Sequence, residues 1–313
     1  MNAPFNHNAH HAPLTYQGIL ARAEKIDWRV EDLIGGDKKL DFSKPFLPEN
    51  LVRVSGLFFL SDREQRLLNQ IRGHGYLYMF GLVEEFILPF IMEHIETQLK
   101  SGDDYKIRAL LGFAAEEAKH IHLFKRFREE FIAGFGHECE VIGPAETIAA
   151  EVLRHDPLSV SFAILGIEWM TQGHYTESVR DNRDIDPQFK NLLKHHWMEE
   201  MQHAQLDTLI TEALAEPRDT DQIDAAIGEY LEIGAFLDEG LKQQTIFDLA
   251  TFERAAGRTL NGEDRADFLR VQHQAMRWTF LGSGLTHPQM TATLRKLTPA
   301  GAEKIASVAS AFC

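Results

Sequence analysis

Cysteine is scarce in this 313-residue chain: only Cys139 and Cys313 occur, and neither belongs to a Cys-x-x-Cys pair. A disulfide framework is excluded in practice, and a reducing, cytoplasmic setting fits. Positive charge is also short, with 32 Lys and Arg against 47 Asp and Glu and a formal net charge of −15. No basic stripe is present, so nucleic-acid binding has no electrostatic support. We find no apolar run approaching the roughly 20 residues that cross a membrane, and no charged-then-apolar leader at the start. The first 14 residues are polar and His-rich, and His7, His10 and His11 read as part of a mobile native tail rather than a metal site. No strand alternation is convincing either, which leaves an all-α reading.

Apolar residues make up 44% of the chain and 21 are Phe, enough for a large core. Residues 1–50 read as irregular, punctuated by Gly35-Gly36-Asp37, Pro45 and Pro48, with Trp28, Phe42 and Phe46 free to pack on a bundle. Ser61-x-x-Glu64 is a capping box that opens a helix over about 64–99, with Pro89 inside it predicting a kink. A second helix is expected over 104–132, a short one after Pro144, a third over 157–181 and a fourth over 187–215. Further helices are expected near 220–239, 241–256 and 263–281, with a last one opened by Thr298-Pro299. The expectation is one helical domain: a four-helix core over about 61–215, with helices over 220–313 packed on it because no linker-like tract separates them.

One phrase is written twice. Glu85 precedes Glu117-x-x-His120, and Glu168 precedes Glu200-x-x-His203, with an offset of 83 residues between the copies at every position. A Glu from each of two helices plus a Glu-x-x-His from each of two others is the ligand set of a dinuclear metal site in a helical bundle. Residues i and i+3 share a helix face, so each Glu-x-x-His can grip one ion. Carboxylates bridge two cations well, and imidazole suits iron. Glu117 and His120 lie on a Phe-rich stripe, and Glu168 sits in an apolar run. A carboxylate buried there without a partner would cost several kcal/mol, a cost that a metal pair removes.

Glu84 competes with Glu85, and the repeat favours Glu85, since Glu84 would correspond to the apolar Ile167. Glu116 and Glu199 also correspond; each either orients a ligand His or faces water. His196, four before Glu200, breaks the repeat, its counterpart being Phe113, and it can reach the same metal. His122, His155, His174 and His195 lie off the ligand face and read as structural or surface groups. Asp207 is a candidate acceptor behind His203. Tyr175, two turns after Glu168, is either core or a redox-active tyrosine near the metals. Arg72, Arg108 and Arg180 are available to bind a substrate carboxylate, but salt bridging to the many acids is the plainer reading.

The series Glu, Glu-x-x-His, Glu, His-x-x-x-Glu-x-x-His, ending here in His196-Trp197-Met198-Glu199-Glu200-Met201-Gln202-His203, resembles the p-aminobenzoate N-oxygenase family of non-haem di-iron oxygenases. The resemblance spans roughly 55–215. It implies a ferritin-like four-helix bundle core with additional N- and C-terminal helices, holding two Fe ions on Glu85, Glu117, His120, Glu168, His196, Glu200 and His203. Manganese, or a manganese–iron pair, suits the same ligand types. It further implies a di-iron oxidoreductase that activates O2 to oxygenate a small organic substrate, an aryl amine in the family, with electrons from a ferredoxin or flavin reductase. Competing readings are a ferritin-like metal oxidase or iron-binding protein, which has no need of His196, and a desaturase or radical-generating protein. A homodimer is permitted but not required.

Overall fold

The structure is a computed structural model and describes residues 14–99 and 102–313. The reading of His7, His10 and His11 falls outside the described residues. The helices in chain order are α1 (Tyr16–Ala23), α2 (Val30–Leu33), α3 (Glu49–Val52), α4 (Asp62–Gln98), α5 (Asp104–Phe135), α6 (Ala145–Leu153), α7 (Pro157–Gly173), α8 (Pro187–Ala215), α9 (Thr220–Ala256), α10 (Gly262–Arg277), α11 (Ser283–Leu285), α12 (Pro288–Leu297) and α13 (Pro299–Ala309). Among the described residues there is no strand, only an isolated bridge between Gly35 and Lys38.

Local sequence explains most helix ends. The Ser61 side chain and Glu64 form the reciprocal capping box of α4. Asp103 and Asp186 cap α5 and α8 through their carboxylates, and Pro157, Pro187, Pro288 and Pro299 occupy first turns, where their missing N–H is no loss. Three expectations need correction. Residues 1–50 are not wholly irregular, because Thr15 caps a two-turn α1. The expected pair of helices near 220–256 is one continuous α9 that runs through Gly240. The third and tenth helices end in π turns, His174–Val179 and Trp278–Gly282.

Helices α4 and α5 form one long hairpin and α7 and α8 another, and the hairpins meet where α5 packs on α8. Helix α9 lies against both α4 and α7, and α10 packs on α9. Helix α4 carries an apolar stretch with mean hydropathy 1.4, long enough to cross a membrane, contrary to the sequence reading. Of that stretch 61% is buried inside the chain, which accounts for its composition without a bilayer.

Two apolar cores divide the bundle along its length. One holds Leu77 and Phe80 of α4, Phe124, Phe127 and Phe131 of α5, and Phe189 and Leu192 of α8. The other holds Phe86, Ile87 and Phe90 of α4, Leu110 and Phe113 of α5, Phe162 to Leu165 of α7, and Leu206 and Ile210 of α8. On all four helices the turn between these cores is polar, and the candidate ligands occupy it.

Candidate metal centre

Between the two cores lie Glu84, Glu117, His120, Glu168, His196, Glu200 and His203, all buried. The donor atoms of Glu84, His120, His196 and Glu200 lie within 4.8 Å of one another, as do those of Glu117, His120, Glu200 and His203. The two groups share His120 and Glu200. Glu168 joins them through a hydrogen bond with Glu200. The expected residues thus come together, with one exception.

The exception is Glu85. Its carboxylate turns out of the bundle to Lys125, 3.2 Å away, and is about one-third exposed. Glu84 faces inward instead, 3.0 Å from His196 Nε2. The inward stripe of α4 is Leu77, Phe80, Glu84, Ile87 and Ile91, spaced three and four apart, and Glu85 lies one position off it. The repeat misled because the two hairpins are not built alike. The second contains the π turn at 174–179 and a longer connection before Pro187, which shifts the register between Glu and Glu-x-x-His by one residue. Gly81 serves packing: a Cβ there would meet Phe124 Cβ of α5 at 3.5 Å.

Outer hydrogen bonds fix two of the imidazoles. His120 of α5 bonds Glu199 of α8 through Nε2 at 2.8 Å, and His203 of α8 bonds Glu116 of α5 through Nε2 at 2.8 Å. Each carboxylate therefore orients the histidine of the opposite helix, a crossed pairing that neither helix alone reveals. Both Nδ1 atoms are left pointing inward. Carboxylates behind a histidine are the usual support of a metal ligand. Lys119 caps Glu199 at 2.5 Å and also sits 4.0 Å over the ring of Trp28, which stacks on His120. Phe113 stacks on His203, and Phe80 and Phe124 meet His196 edge-on. These rings wall the site from water.

The charge pattern is under strain without a cation. Burial, reinforced by Glu117 and Glu200, pushes the carboxyls of Glu84 and Glu168 well above the usual range. Burial likewise raises Glu117 and Asp207. For His203 burial opposes protonation, but Glu200, Glu116 and Glu117 overcome it and hold the imidazolium well above its ordinary pKa. Burial also opposes protonation of His120, which Glu199 and Glu200 raise to about 9. Protons do here what cations would do.

The donor set fits a metal pair. Glu84 Oε2, both oxygens of Glu117, Glu168 Oε2 and His120 Nδ1 are buried with no hydrogen-bond partner. Glu117 Oε1 approaches His203 Nδ1 to 2.8 Å without the direction of a hydrogen bond. Lone pairs converging on shared space are costly unless a cation occupies it. Four carboxylates and three imidazoles suit iron or manganese.

The remaining candidates separate cleanly. Tyr175 stacks on Trp197, with ring centroids 4.5 Å apart, and is core. Tyr76, which sequence reasoning passed over, lies nearer: its hydroxyl bonds His174 Nδ1 at 3.0 Å, and its ring packs 4.5 Å from Phe80. His174 bonds Ser283 Oγ at 3.1 Å, and Ser283 donates to the Thr279 carbonyl. His174 Nε2 therefore carries the proton, and Nδ1 accepts from Tyr76. No motif marks Tyr76; only its place one turn before Phe80 on the inward stripe signals it. Asp207 is buried with both oxygens unpartnered, behind His203. Arg72, Arg108 and Arg180 pair with Asp248, Glu24 and Asp181, as the charge balance suggested.

The helix order and inward donor pattern are those of a ferritin-like four-helix bundle. No protein-family model matches the chain, and no curated protein matches it. Among solved structures the chain is similar to R2-like ligand-binding oxidases. One mutant with an anaerobically reconstituted Mn/Fe cofactor is 12% identical, with 88% of this chain and 93% of that one covered and a TM-score of 0.49. Another, with an aerobically reconstituted Fe/Fe cofactor, is 13% identical, covering 84% and 92%, with a TM-score of 0.43.

Proposed function

We propose that the chain is a dinuclear metal oxidoreductase that uses O2 to oxygenate a small organic molecule. The observation that supports this most strongly is the buried layer of seven converging donors whose lone pairs lack partners. Glu84, Glu117, Glu168, Glu200, His120, His196 and His203 would hold the two ions, iron or a manganese–iron pair. Such a pair, when bound, supplies electrons and open coordination positions for dioxygen. Glu200 is common to both donor groups and would serve both ions. Glu199 and Glu116 hold the imidazoles with Nδ1 inward. Phe80, Phe113 and Phe124 exclude water, and Trp28 with Lys119 closes the face over His120. His174 accepts the Tyr76 proton at Nδ1 and gives its own toward Ser283, a route for a proton between the interior and the pocket beside His174 and Ser283.

The resemblance carried by the His196 to His203 segment makes aryl-amine N-oxygenation the finer reading, with a ferredoxin or flavin reductase as electron source in a cytoplasmic setting. His196 favours this over iron storage, because storage gives no role to a third imidazole. The test is to load the protein anaerobically with ferrous ion, add a reductant, oxygen and an aryl amine, and analyse products by mass spectrometry. An oxygenated amine supports the reading; mineral formation with the amine untouched refutes it.

A further inference from the structure

A cavity of about 520 Å³ lies between α4, α7 and α9, on the side of the bundle where Glu84 and Glu168 enter the site. Its inner wall is Phe80, Val83, Ile167 and Met170. Phe80 meets His196 edge-on at 5.4 Å, and Val83 and Ile167 directly precede Glu84 and Glu168 in sequence. One layer of side chains thus separates the cavity from the candidate metal ligands. The cavity exists because α9, rather than a direct contact of α4 with α7, fills this side of the bundle. Phe280 and Leu281, on the π turn at 278–282, divide it from a smaller apolar cavity of about 160 Å³. π turns recur at functional sites.

The charge of the lining is one-sided. No Lys, Arg or His lines the cavity, and its only ionisable side chains are Glu140 and Glu239, both exposed at its mouth. Lys242 lies beside Glu239 at 3.4 Å, in an exposed pair worth little. A carboxylate entering here would lose its hydration, find no cation and meet two like charges. An ammonium would be drawn to the same rim.

We propose that this cavity binds the substrate of the metal site and that the substrate is a mainly apolar amine without an anionic group, its hydrocarbon against Phe80 and Ile167 and its ammonium at Glu140 and Glu239. This deepens the oxygenase reading and rests on it for the reaction, but not for the binding.

The test is calorimetric titration of the metal-free full chain with octylamine and with octanoate at neutral pH. Octylamine is expected to bind at least about tenfold more tightly than octanoate. Exchanging both rim charges, Glu140→Lys with Glu239→Lys, should invert that order at surface positions that leave the fold intact. Leu241→Trp, which fills the cavity, should weaken octylamine about tenfold or more, with circular dichroism confirming the fold. Octanoate binding as tightly as octylamine, no binding of either, or an order unmoved by the rim exchange would overturn the proposal. The metal reading fails separately: a chain that binds octylamine but takes up no iron or manganese keeps the cavity and loses the oxygenase.

Discussion

Glu117 offers the sharpest perturbation. It is fully buried, neither oxygen has a hydrogen bond, and it shares the polar layer with three other carboxylates. In the metal-free chain its charge is a liability, so Glu117→Gln should stabilise that form. Removing a poorly compensated buried charge is worth about 1–4 kcal/mol. With entropy of unfolding scaling with length, that corresponds to a rise of about 2–6 °C in Tm. The wild-type chain should instead respond to metal. Saturation at about 100 times Kd contributes ~2.7 kcal/mol, and in the variant that gain should largely vanish. Scanning calorimetry of both proteins, in chelator and in anaerobic ferrous ion, measures all four values. A variant that melts lower than wild type without metal, beside a wild type indifferent to metal, would refute the reasoning.

Further outcomes follow from the same geometry. Glu84→Gln should lower bound metal per chain while Glu85→Gln leaves it unchanged, as read by elemental analysis; the reverse would restore Glu85 as ligand. Glu199→Gln should weaken metal binding about 10–100-fold, measured by chelator competition, because His120 loses the carboxylate behind it. His74 is buried beside Arg128, and burial first, then that guanidinium, lowers its pKa to about 3. Its contribution is complete above pH 6.5 and is lost as pH falls toward 3, a change on the order of a few kcal/mol. His74→Leu should flatten that part of the urea stability profile, and an unchanged slope would discount the histidine. Gly284→Ala would place a Cβ 2.5 Å from the Gly166 carbonyl, two residues before Glu168. It should cost about 1–3 kcal/mol in denaturant titration.

Much of this was legible in the chain. Ser61-x-x-Glu64, Asp103 and Asp186-Pro187 mark helix starts by local chemistry, and local chemistry survives folding. Both Glu-x-x-His pairs were readable because i and i+3 face the same way whatever the tertiary context. Glu84 was missed because repeat arithmetic outweighed helix phase, and a π turn spoils such arithmetic. The stripe through Leu77, Phe80 and Ile87 would have found it. The crossed bonds of Glu116 and Glu199, the Tyr76–His174 pair and the cavity beside Phe80 depend on which helices meet, and no single-helix pattern encodes that. The continuous α9 was hidden by Gly240, which reads as a breaker when tertiary packing is unknown.

The central claim is a pair of metal ions in the layer between the two cores. The direct measurement is a crystal of the chain loaded with ferrous and manganous ions, with anomalous scattering recorded at both metal edges. The account predicts two peaks, one among Glu84, His120, His196 and Glu200 and one among Glu117, Glu200 and His203. No peak in that layer, or peaks confined to the surface or at Glu85, would contradict it.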